Sequence, residues 1–144
     1  EVAAALCRKL GMRSCKELRE AREIHCFRKR LSATDLATLG TLVLPALERL
    51  VLFEHSDATG PDGVQRLAEG LGAGALPAVI YLALVGVHVG DAGASALAAA
   101  LGRGALPRLM TLSLANGAIG DAGLVALAPA LRRRPALVGL FLMG

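Results

Sequence analysis

Aliphatic residues recur along most of this chain in one short pattern, with spacings of three and then two. Leu47, Leu50 and Leu52 set the pattern, and Val79-Leu82-Leu84, Leu109-Leu112-Leu114 and Leu137-Leu140-Leu142 repeat it after 32, 30 and 28 residues. The last two positions of each triplet have the period of a strand, which puts Leu50 and Leu52 on one face and Arg49, Val51 and Phe53 on the other. Each triplet therefore predicts a short strand with one apolar face. Such a strand buries almost nothing alone, whereas stacked units join their leucines into one core.

The segments between triplets change period. Residues 63–71, GVQRLAEGL, align with 93–101 and 123–131, and their leucines four apart share one helix face. Asp62, Asp91 and Asp121 precede these helices and are expected to accept hydrogen bonds from the first turn of their own helix. Gly72 and Gly102 are expected to provide left-handed helix exits. The repeated Gly-Ala-Leu-Pro of 74–77 and 104–107 leads into the next strand, since proline cannot continue a helix.

The strand, turn, helix and turn of this unit, in LALVGVHVGDAGASALAAAL (82–101) and LSLANGAIGDAGLVALAPAL (112–131), resemble leucine-rich repeats of the ribonuclease-inhibitor type. The resemblance covers most of residues 44–144 and implies an α/β solenoid, a horseshoe with a short parallel strand and an outer helix per repeat. Clear repeats are read at 44–75, 76–105 and 106–134, with a partial repeat at 135–144. Upstream, Ala21, Ile24 and Cys26 keep the triplet spacing, so 21–43 reads as a degenerate repeat and the array as 21–144. Residues 1–20, with Val2, Leu6 and Leu10 before Gly11, read as an N-terminal helical or capping segment. The chain is expected to be an excerpt, truncated at the C-terminus of a longer array. It departs from the family at the turn after each strand. Asparagine or cysteine is usual there, but this chain has Lys29, His55, Val87 and Gly117, and its single asparagine, Asn116, stands one residue early.

Composition alters this picture little. Hydrophobic residues make up 54% of the chain, and no charge lies between Glu69 and Asp91. That stretch has the length of a membrane span, but it contains Gly72, Gly74, Pro77, Gly86 and Gly90 and keeps the repeat register, so no membrane segment is expected. Positive charge concentrates in residues 1–30, where nine Lys or Arg face four Glu. Such a patch attracts RNA or acidic partners. The interleaved glutamates instead point to a solvated helix face, and nucleic acid is not expected as a partner. Cys7, Cys15 and Cys26 form neither a Cys-x-x-Cys pair nor a zinc-ligand spacing, so a reduced, cytoplasmic chain without metal or other cofactor is expected.

No catalytic constellation stands out. His25 and Cys26 are neighbours on a predicted strand and point to opposite faces. Gly70, Gly72 and Gly74 run from helix to strand, the reverse of a dinucleotide-binding loop. The aromatics carry more. All four, Phe27, Phe53, Tyr81 and Phe141, fall on strand positions facing away from the leucines, the concave face that the resemblance implies. With Arg49, Val51 and Thr111 they form the expected partner-binding surface, since aromatics and arginines commonly anchor protein interfaces. The expectation is a non-enzymatic scaffold for protein-protein interaction. The alternative is a GTPase-activating regulator resembling the Ran GTPase-activating proteins, although no residue here matches that family's functional positions.

Overall fold

The computed structural model describes residues 2–27, 32–41, 44–53, 63–72, 76–114, 119–133 and 139–141; for 2–5, 15, 27 and 139–141 it describes the backbone alone. Two short helices, α1 (Val2–Lys9) and α2 (Cys15–Glu20), lead into an alternation of strands and helices. The order is β1 (Glu23–Phe27), α3 (Ala33–Thr41), β2 (Arg49–Phe53), α4 (Gly63–Gly70), β3 (Tyr81–Val85), α5 (Gly90–Gly102), β4 (Thr111–Ser113), α6 (Asp121–Arg132) and β5 (Gly139–Phe141). The strands form one parallel sheet in chain order, as expected when each strand is followed by a crossover helix. The protein is thus α/β with a parallel sheet.

The triplet spacing places the strands in register. Ile24, Leu50, Leu82, Leu112 and Leu140 are successive partners across the sheet, and Cys26, Leu52 and Leu84 form the next row. Apart from Leu140, whose side chain lies outside the described residues, all of these are at most 2% exposed. They share one apolar core with Leu36 and Leu39 of α3, Val64 and Leu67 of α4, Ala94 and Leu97 of α5, and Leu127 of α6. Each buried leucine contributes about 1.5–3 kcal/mol. The helices therefore cover one sheet face.

Equivalent turns lead into β2, β3 and β4. The N–H groups of Leu47, Val79 and Leu109 donate to the carbonyls of Leu44, Leu76 and Leu106, each of which precedes a proline. Leu76 and Leu106 adopt φ of 50° and 53°, a left-handed conformation that costs a leucine about 1–2 kcal/mol. Their side chains are 4% and 1% exposed, so burial holds them there. At the strand entries, one carbonyl serves two donors of the next unit. Arg22 O accepts from Glu48 and Arg49, Glu48 O from Ile80 and Tyr81, and Ile80 O from Met110 and Thr111.

The helix ends differ from the sequence expectation. Asp91 lies inside α5 and does not cap it; its Oδ1 instead accepts from Gly120 N at 2.8 Å and Gly123 N at 3.0 Å, at the start of α6. Asp121 likewise lies within the first turn of its own helix, whose N-cap, Gly120, makes no side-chain cap bond. Asp62 lies outside the described residues. The other end of α5 reaches the opposite way: Arg103 Nη2 donates to Ala68 O at 3.0 Å and Leu71 O at 2.8 Å, at the end of α4. The left-handed exit also moves. Gly102 completes α5, Arg103 follows in a right-handed conformation, and Gly104 takes φ 96°, while Gly72 is not left-handed.

Small residues bring the helices close. A Cβ on Gly123 would lie 3.0 Å from Ala94 Cβ and 2.8 Å from Asp91 Oδ1, and one on Gly93 would lie 3.4 Å from Val64 Cβ. Gly40 of α3 faces the Leu67 carbonyl of α4 in the same way.

The N-terminal segment is two helices rather than one. Ser14 Oγ caps α2 by accepting from Glu17 N at 3.2 Å. Leu6, Cys7 and Leu18 join the core. Lys9 bridges to Asp35 of α3 at 2.5 Å, and Ser32 and Asp35 cap that helix reciprocally, Ser32 N donating to Asp35 Oδ2 and Asp35 N to Ser32 Oγ. Burial pushes the Asp35 carboxyl up, but the Lys9 hydrogen bond and charge and the two Ser32 bonds outweigh it, and its pKa is lowered.

Candidate partner-binding face

The sheet face away from the helices carries three rows of side chains. The first pairs Glu23, Arg49, Tyr81 and Thr111; the second pairs His25, Val51, Ala83 and Ser113; the third contains Phe53 and Val85. Strand alternation aims them all away from the leucine core.

Charge and aromatic character meet in the first row. Arg49 is half-exposed, with its Cζ 5.9 Å from the centroid of the Tyr81 ring. Its Nε is 4.0 Å from Glu23 Oε1, which also lies 3.2 Å from His25 Nε2. An exposed cation-π contact contributes about 0.5–1 kcal/mol, and an exposed ion pair at the limit of contact contributes about 0–1 kcal/mol. These contacts orient the guanidinium without burying it.

Val51, Phe53, Tyr81, Val85 and Thr111 are each half-buried. Their apolar surface is thus partly open along the face. The sheet brings together Arg49, Val51, Phe53, Tyr81 and Thr111 of the expected surface. Phe27 and Phe141 stand on β1 and β5 by backbone, with side chains outside the described residues.

Four residues of this face were missed by reading aromatics alone. Glu23 and His25 surround Arg49 with polar groups, a signal present in the first two rows of the register. Ala83 and Ser113 are only 2% and 9% exposed although they face away from the core. The second row shrinks from histidine to valine, alanine and serine, so larger neighbours crowd over its small end. Only the size gradient along the row could have revealed that recess.

The other fragments remain apart. His25 is exposed and Cys26 is buried on the opposite sheet face, so they do not form a base and nucleophile pair. His88 is exposed in the turn before α5. Among the described residues, no three His, Cys, Asp or Glu side chains gather as metal ligands, and no helix is long and apolar enough to cross a membrane. The uncharged stretch between Glu69 and Asp91 is instead divided among the end of α4, β3 and turns. Arg8, Arg13, Lys16, Arg19 and Arg22 are exposed among glutamates, with Lys16 and Glu20 at 4.0 Å.

These features define a parallel α/β protein with one covered and one open sheet face. No protein-family model matches the chain, and a search of curated proteins finds no match.

Proposed function

We propose that the chain is a leucine-rich-repeat scaffold with repeats of the ribonuclease-inhibitor type, and that it binds a protein partner on its open sheet face. The repeat reading is supported by the regular leucine register and the helix following each of the first four strands. The observation that carries the binding reading is the open face itself, where exposed Arg49 lies over Tyr81 beside half-buried Val51 and Phe53. Arginine and aromatic side chains on an apolar surface are the residue types that anchor protein interfaces. In this reading the partner covers the apolar area, and the protein is a non-enzymatic cytoplasmic scaffold.

Affinity capture from a cell lysate tests the reading, with the wild-type chain and a Phe53→Asp, Tyr81→Asp double variant as baits and mass spectrometry as the readout. Both baits are first shown to be folded by circular dichroism. Proteins captured by the wild type and lost with the variant place the site on the sheet face. Identical capture by both refutes that placement.

A further inference from the structure

One polar group on the open face is left unsatisfied. Ser113 and Asp35 are the buried polar side chains among the described residues. Asp35 is engaged by Lys9 and Ser32, whereas the Ser113 hydroxyl, on a side chain 9% exposed, makes no hydrogen bond to a described residue. Such a group costs about 1–3 kcal/mol unless something supplies a partner. Thr111, two residues earlier on the same face, and its register partner Tyr81 also carry hydroxyls that bond to no described residue.

The cation next to these hydroxyls is Arg49. Its position over Tyr81 carries the guanidinium from β2 toward β3, one strand from Thr111 and Ser113. Glu23 sits on the far side, on β1, three strands from Ser113 and therefore roughly 14 Å away at about 4.8 Å per strand. The recess thus offers one guanidinium and three hydroxyls, a donor-rich set matched to a single negative charge. A doubly charged phosphate would meet only one described cation on this face, already shared with Glu23. Val51, Phe53 and Val85 add apolar surface alongside.

We infer that the Ser113 recess, with Arg49, Tyr81 and Thr111, receives the carboxylate of an aspartate or glutamate of a protein partner, flanked there by apolar residues. This rests on the binding-face reading and specifies the partner's chemistry. The carboxylate accepts from the Arg49 guanidinium and from the hydroxyls, while its neighbours cover Val51 and Phe53. Charge-assisted hydrogen bonds of this kind are stronger than neutral ones.

Selection of linear peptides from a random phage-displayed library on the whole folded chain tests it, with affinities of the winners measured by fluorescence anisotropy. The expected winners carry Asp or Glu beside apolar residues. Changing that acid to its amide should weaken binding roughly tenfold or more. With Arg49→Met, acid and amide peptides should bind alike, and Ser113→Ala should narrow the difference between them. Circular dichroism verifies that each variant is folded. Winners that need Phe53 but bind equally as acid or amide overturn the carboxylate pocket and leave the binding face standing. Displacement by inorganic phosphate at concentrations where acetate has no effect also overturns it. Winners indifferent to Phe53→Asp, or no enrichment at all, sink both readings.

Discussion

Asp91→Ala isolates the contribution of one helix to its neighbour. The Asp91 carboxylate accepts from Gly120 N and Gly123 N at 2.8 and 3.0 Å, serving two donors at the start of α6. Removing such a cap costs about 0.5–2 kcal/mol. Asp91 also sits in the first turn of α5, where its charge adds about 0.3–1 kcal/mol by favourable interaction with the helix dipole. Asp121 provides the control, because it occupies the first turn of α6 but makes no hydrogen bond to a described residue. Asp121→Ala loses only the dipole contribution, so the difference between the two variants is the cap, about 1 kcal/mol. Urea unfolding followed by circular dichroism should show a lower midpoint for Asp91→Ala than for Asp121→Ala at the same m-value. The corresponding difference in melting temperature is about 3 °C for a chain of this size. Equal destabilisation by the two alanines would refute the inter-helix cap.

Three further outcomes follow from the packing and charges. Leu82→Asp places an uncompensated charge at a site 2% exposed and should cost more than about 4 kcal/mol, whereas Phe53→Asp, at a half-buried site, should cost less than about 2 kcal/mol; equal thermal destabilisation would reverse the face assignment. The lowered pKa of Asp35 makes its stabilisation fully present above the unfolded value, about 3.9, and lost as the pH falls through the lower folded value. Asp35→Asn should therefore flatten the acid side of the stability curve, and an unchanged slope below about pH 4 would contradict this. Arg103→Met keeps most of the stem but removes the donors to Ala68 O and Leu71 O, for an expected loss of about 1 kcal/mol in urea unfolding.

Strand periodicity was legible because it is local: the spacing of Leu50 and Leu52 places both on one face, and the same spacing in the next triplet sets their partners, Leu82 and Leu84. Helix capping was less legible because its donors and acceptors come from different helices. An aspartate before a helical segment suggests its own cap, but the Asp91 carboxylate reaches Gly120, 29 residues on. Where the cap is local, as with Ser14 and Glu17 or Ser32 and Asp35, the spacing of three was present in the sequence and was not used. The helix exit was misplaced for a related reason: α5 continues through Gly102 and leaves the turn to Gly104. Leu76 and Leu106 were unreadable, because a leucine before proline gives no sign of a left-handed backbone until its side chain is known to be buried. On the open face, the register showed which way Arg49, Phe53 and Tyr81 point. It did not show that Ser113 is recessed, because that depends on neighbours leaning over it.

The close contacts at Gly93 and Gly123 bear on curvature. Strands in a sheet lie about 4.8 Å apart, whereas packed helices ordinarily lie about 8–10 Å apart. A sheet joined strand by strand to a row of helices must bend to accommodate that mismatch, and the bend tightens as the helices move apart. Each glycine or alanine at the helix contacts narrows the wider spacing and so relaxes the arc. The radius of the open face is thereby set on the side of the molecule that a partner bound there does not touch. Enlarging Gly93 would close the arc by wedging α4 from α5, altering the shape offered to a partner while leaving every side chain on the open face unchanged.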